Sequence, residues 1–195
     1  MPGQERYEHV LRFWFGDGDA NVRVSSEVSS RWWKKSDAFD QEIRQQFLAE
    51  HEAIHKGQNE LWLREPRGRL AYVIVLDQFS RNMFRGTAKM FASDARALAA
   101  ALSGIEAGDH TKLGPDERAF LYMPLMHSES LAMQNKCVEL FGLDHDEGAA
   151  SSVAFAVQHR DIIARFGRFP HRNEVLVRVS TPEEEAFLRQ PGSSF

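Results

Sequence analysis

Cysteine is almost absent from this chain: Cys137 is the only one in 195 residues. A lone thiol forms no internal disulfide and no cluster of thiolate ligands. Long apolar runs are missing as well. The longest spans residues 70–76, far short of a membrane helix, and Glu5, Arg6 and Glu8 interrupt what would be the apolar core of a signal peptide. Positive charge is not in surplus. Lys and Arg number 24 against 28 Asp and Glu, a formal charge of −4 that disfavours a broad nucleic-acid footprint. Glycine-rich phosphate loops, dinucleotide fingerprints and GxSxG nucleophile turns are absent. Strand signal is confined to residues 175–179, and one strand makes no sheet. These absences lead us to expect a cytoplasmic protein with no membrane partner.

Aromatic mass is plentiful. Fourteen Phe and four Trp, within 43% hydrophobic and 27% charged residues, supply an aromatic-rich core. The length suits a single domain over 1–195. Helical spacing recurs along it. Tyr7, Leu11 and Trp14 predict an opening helix that stops near Gly16, followed by a loop over 17–26. Ser36 or Asp37 caps a helix that turns Phe39, Ile43, Phe47 and Ile54 inward and ends at Gly57. Pro66 and Gly68 read as a break. Residues 70–84 are apolar nearly all round at their start and predict a central buried helix. Thr87 or Ser93 starts the next, with Ala95, Leu98, Ala99 and Leu102 as a small-residue face. Gly114 and Pro115 open another, kinked by Pro124 just before His127 and running on to Gly142. A long helix follows over 147–166, with Phe155, Ile162, Ile163 and Phe166 as its apolar pattern, and Gly167 placed to end it in a left-handed residue. Thr181, Pro182 and Glu184 spell a capping box. Segment lengths imply antiparallel helical hairpins in an all-α fold.

Three polar strings are anchored by aromatics or proline. The first is Asp77-Gln78-Phe79-Ser80-Arg81-Asn82-Met83-Phe84-Arg85-Gly86, the second Tyr122-Met123-Pro124-Leu125-Met126-His127-Ser128-Glu129, the third Phe166-Gly167-Arg168-Phe169-Pro170-His171-Arg172-Asn173. Steps of four bring Asp77, Arg81 and Arg85 near one helix face. Guanidinium forks there suit a carboxylate or phosphate; the same spacing serves an internal ion-pair network. His127 and His171 have side chains suited to proton transfer near neutral pH. Arg81, Asn82, Arg85, Glu129, His159, Arg168, Arg172 and Asn173 complete the candidate ligand contacts, with His159 on the inward face of its helix. Asp161 and Arg165 are spaced for an ordinary helical ion pair.

These strings, with Val10-Leu11-Arg12-Phe13-Trp14-Phe15-Gly16 at the start and Ser180-Thr181-Pro182-Glu183-Glu184-Glu185 near the end, resemble the bacterial domain of unknown function 924 family over nearly the whole chain. The resemblance implies a helical fold similar to the tetratricopeptide-like superfamily, implies no reaction and names no cofactor. It also groups the three strings as one site.

Function therefore rests on the residues. The leading reading is a pocket lined by arginine and histidine for a small anionic molecule, bound or acted on. The competing reading is a tetratricopeptide-like module that holds a protein or peptide partner. A third is a zinc hydrolase built on His51-Glu52-Ala53-Ile54-His55, whose histidines are spaced for a metal. Against it, the helix ends at Gly57 and protease-like strands are missing, so no metal site is assigned.

Overall fold

A computed structural model describes residues 2–143 and 149–194. All regular structure among them is helical, and no strand is present. In chain order the helices are α1 (Pro2–Phe15), α2 (Ser26–Trp33), α3 (Asp37–His55), α4 (Pro66–Ile74), α5 (Ser80–Met83), α6 (Asp94–Glu106), α7 (Pro115–Met126), α8 (Leu131–Gly142), α9 (Ala149–Phe166) and α10 (Pro182–Leu188). The end of the sequence-predicted helix over 147–166 that precedes Ala149, and the acidic residues Asp144 and Glu147, lie outside the described residues.

Internal contacts group the chain into two units. One comprises Met1–Arg85 and Lys89–Pro124, the other Gly86–Ala88 and Leu125–Phe195.

The first unit is built round the apolar run at α4, where Leu70, Ala71, Tyr72, Val73 and Ile74 are all buried. No helix with one apolar stripe would bury consecutive residues; this one is covered on every side. Aromatic edges complete the core. Phe79 meets Trp14 at 5.5 Å between ring centroids and Phe47 at 4.7 Å, and Phe120 meets Trp14 at 5.5 Å. Between α4 and α5 the helix widens into a π-helical turn over Val75–Phe79, a feature invisible to hydrophobic spacing and common at functional positions. Expectations fail at several points in this unit. Pro66 does not break a helix but begins one, where its missing N–H costs nothing. Gly68 lies inside that helix because a Cβ there would come within 2.4 Å of the Trp62 carbonyl oxygen. Within the loop predicted over 17–26, Ser25 caps the unforeseen α2, a helix with no buried residue and hence no apolar stripe to read. The small-residue face of α6 is formed by Ala97, Ala100, Ala101 and Gly104, while Ala95 and Ala99 face outward.

In the second unit α8 packs on α9, and Ile162, Ile163 and Phe169 form a core flanked by Phe166 and Phe187. The helix predicted to continue past Pro124 stops at Met126 instead, and α8 starts afresh at Leu131. Gln134 fills the gap: its Nε2 donates to the carbonyls of Met126 (2.6 Å) and Ser128 (2.7 Å). Phe155, counted in the apolar pattern of α9, is exposed. Gly167 does adopt the left-handed conformation, and the Thr181–Glu184 capping box forms. The stretch over 175–179, which alone carries strand signal, forms no strand, and residues 173–177 are turns. Val177 has a φ of 55°, which no strand accommodates.

Candidate functional site

Each unit carries a buried polar cluster that draws on the residues singled out from sequence. In the first, the wide turn supplies Asp77 and Gln78, and α5 supplies Ser80, Arg81 and Asn82. Arg81 behaves as the four-residue spacing predicts, lying 3.0 Å from Asp77, but it also grips Asp94 with both terminal nitrogens at 2.9 and 3.1 Å. Gln78 Nε2 donates to Asp77 at 2.6 Å. Arg85 and Asn82 both bind Asp40, at 2.6 and 2.9 Å from the guanidinium and 2.7 Å from the amide. Burial alone would raise the Asp40 carboxyl; the bonds from Arg85 and Asn82 outweigh that and lower its pKa. The arrangement is an internal network in which arginine charges are met by protein carboxylates.

His51 belongs to the same region. Its Nε2 lies 2.8 Å from the Ser80 hydroxyl and 3.5 Å from that of Ser93. Burial, and then the nearby His55, push its pKa down to about 4, so the ring is neutral at physiological pH. The His51 and His55 rings lie nearly parallel, 10° apart, with centroids 6.1 Å from each other. The nitrogen that would bind zinc is thus engaged by Ser80 inside the protein. No group of three metal-binding side chains occurs among the described residues.

The second cluster joins the string at His127 to the string at Phe169. Glu129 accepts the Phe169 backbone N–H at 2.8 Å and a two-pronged grip from Arg178 at 2.7 and 3.0 Å. Arg178 reaches further, to Asn173 Oδ1 and to the Phe169 carbonyl, both at 3.0 Å. Burial raises the Glu129 carboxyl, but Arg178 and the Phe169 amide win and its pKa falls. Arg172 is buried, donates to the His127 carbonyl at 2.9 Å, and stacks its guanidinium 4.5 Å from the Phe169 ring centre. His159 Nδ1 bonds the Phe155 carbonyl at 2.8 Å. A carbonyl only accepts, so this nitrogen carries the proton and Nε2 is the acceptor of the neutral ring. Burial, then the positive charge of His127, His171 and Arg172 acting against the Phe155 bond, depress the His159 pKa to about 4.

Arg168 is otherwise occupied. It clasps Glu184 at 2.6 and 2.7 Å, and with the Thr181 amide and Asn173 it holds that carboxyl at about 2. Arg165 pairs with Glu183 (2.9 Å) and Asp161 with Arg160 (2.7 Å), so the predicted Asp161–Arg165 pair gives way to neighbours with better reach.

Of the residues singled out from sequence, Arg81, Asn82 and Arg85 therefore meet in the first unit. His127, Glu129, His159, Arg168, His171, Arg172 and Asn173 belong to the second. Sequence reasoning missed Arg178, whose four bonds tie together Glu129, Phe169 and Asn173. The signal available was its place one residue beyond Val177, in the one stretch that carries strand signal.

A protein of unknown function from Agrobacterium tumefaciens has a solved structure similar to this one, with 35% sequence identity, a TM-score of 0.84, and coverage of 95% of this chain and 98% of that one. No curated protein matches the chain. No helix among the described residues is long and apolar enough to cross a membrane. The sequence profile of the family described as bacterial protein of unknown function (DUF924) matches residues 10–192, and the chain belongs to that family.

Proposed function

We propose that the second unit binds a small anionic molecule at the cluster of His127, His159, His171 and Arg172. The observation that carries this reading is electrostatic: His127, His171 and Arg172 all act on His159, so three imidazoles and a guanidinium share one neighbourhood. A buried guanidinium among imidazoles suits a carboxylate or phosphate. His159, neutral at pH 7 with Nε2 as acceptor, complements a ligand that also bears an O–H, and it could take up a proton from one. Arg81, Asn82 and Arg85 are left out of this site, because carboxylates of their own unit meet them.

The test is a titration of the full chain with inorganic phosphate and with citrate, followed through the histidine side-chain NMR signals. The His127, His159 and His171 signals should move together and saturate, and Arg172→Gln should abolish the effect. Histidines that stay still, or that respond equally in Arg172→Gln, overturn the reading. One observation favours the competing reading of a protein or peptide contact: Val177 and Val179 stand 93% and 89% exposed on the turn that Arg178 fixes. Loss of a binding partner in Val177→Ser/Val179→Ser, with phosphate inert, would select it.

A further inference from the structure

Three successive carbonyls at the bend over 126–128 are held by two side chains. Gln134 Nε2 donates to those of Met126 and Ser128, at 2.6 and 2.7 Å, and Arg172 Nη2 to that of His127 between them, at 2.9 Å. The amide of Gln134 and the guanidinium of Arg172 therefore flank one residue. Gln134 is wholly buried on α8, which packs on α9, the helix that carries His159. The Phe169 ring gathers the rest: it lies 5.7 Å from the His159 ring, 5.5 Å from that of His171 and 4.5 Å from the Arg172 guanidinium. His127 and His171 are partly exposed, which gives solvent access to the cluster. One atom of the group is unmatched. Gln134 Oε1 is buried and has no hydrogen-bond partner among the described residues. Turning the amide over gives no relief, because it would set an oxygen against two carbonyl oxygens. A buried acceptor without a donor costs free energy, and folded proteins seldom leave one without a reason.

We propose that Gln134 reads a hydroxyl on the bound anion, which makes the ligand a hydroxylated phosphate or carboxylate rather than a bare one. This role rests on the anion site proposed above: Arg172 takes the charge, and Gln134 Oε1 accepts the O–H. An amide oxygen only accepts, so an ether or a carbonyl on the ligand gives it nothing. An ammonium would donate as well, but beside Arg172 it meets a like charge. A hydroxyl brings the donor without the charge. Selectivity follows from the burial of Oε1. An anion without the hydroxyl leaves this acceptor unmatched in the complex, and a site built round a buried acceptor discriminates strongly against such an analogue.

The experiment sets glycerol 3-phosphate against propyl phosphate, which has the same carbon chain and phosphate without the hydroxyls. The full-length chain is titrated with each, and with inorganic phosphate, and followed through the NMR signals of the histidine side chains and of the Gln134 side-chain amide. Glycerol 3-phosphate should bind at least about tenfold more tightly than propyl phosphate. It alone should shift the Gln134 Nε2–H signals, which respond when Oε1 accepts a bond. No substitution is needed, so the two hydrogen bonds from Gln134 that hold the bend stay in place. Equal affinities, a Gln134 amide that stays still, or histidines that answer inorganic phosphate but not glycerol 3-phosphate overturn the role of Gln134 and leave the anion site standing. Histidines unmoved by all three phosphates remove the anion site, and the role of Gln134 with it.

Discussion

Arg81→Ala should destabilise the first unit more than Asp77→Ala does, although the two residues form one ion pair. Arg81 serves two carboxylates and the Asp77 backbone carbonyl, the last at 2.9 Å. The side chains are 16% exposed for Arg81, 1% for Asp77 and 23% for Asp94. Removing the guanidinium takes the cation from a carboxylate that water hardly reaches and from a second that it reaches only partly. Breaking a buried pair from one side costs about 3–5 kcal/mol, because the remaining charge stays desolvated. Asp77→Ala, by contrast, leaves Arg81 with both prongs on Asp94. What it loses is one charge-assisted contact and the Gln78 bond, about 1–3 kcal/mol together. The two changes combined should cost less than their sum by more than about 1 kcal/mol, since the double variant strands Asp94 alone and no longer Asp77. Urea unfolding followed by tryptophan fluorescence measures this selectively. All four tryptophans, Trp14, Trp32, Trp33 and Trp62, lie in the first unit. A shift in midpoint at constant slope gives the cost. Equal losses for the two single variants, the reverse order, or additive losses would refute the reasoning.

Two further outcomes follow from buried histidines and from one strained residue. His51 and His159 both hold a pKa of about 4 in the folded chain, below the ordinary 6.5. As pH falls, the unfolded chain binds protons first, so stability is full above pH 6.5 and declines between there and pH 4. Fluorescence-detected urea midpoints should trace that decline for the first unit and flatten in His51→Gln; a decline of undiminished slope in the variant would count against His51 as its source. Val177 is β-branched, holds a φ of 55°, and buries almost nothing. Val177→Gly removes the strain at a smaller entropic cost and should raise stability by roughly 1 kcal/mol; a lowered melting temperature would show that the conformation is not strained.

The fold was legible wherever one helix face meets the core. Tyr7, Leu11 and Trp14 on α1, and Phe39, Ile43, Phe47 and Ile54 on α3, are buried as their spacing requires. Capping chemistry was legible too: Ser36 receives the Phe39 amide, and Thr181 with Glu184 closes the capping box. Sequence patterning failed where an element buries no side chain, as in α2, or where a neighbour's backbone sets the terms, as Trp62 does at Gly68. The π-helical turn at Val75–Phe79 is a third kind of failure. Its residues are buried all round, so one added residue per turn leaves the hydrophobic pattern unchanged.

The site was legible in its residue types but not in its charge. Arginine reads from sequence as a cation awaiting a ligand, because the carboxylate that neutralises it is far along the chain. Asp40 precedes Arg85 by 45 residues, Glu129 precedes Arg178 by 49, and Glu184 follows Arg168 by 16. No local pattern connects such pairs, yet each removes one arginine from the set that could hold an anion. Histidine behaves differently. A buried imidazole needs no counter-charge, since it sheds its proton, as His51 and His159 both do. Carboxylates of the folded chain can therefore cancel the arginines of a candidate site without touching its imidazoles. That is why His127, His159 and His171, rather than the count of arginines, locate the anion site we propose, with Arg172 as its cation.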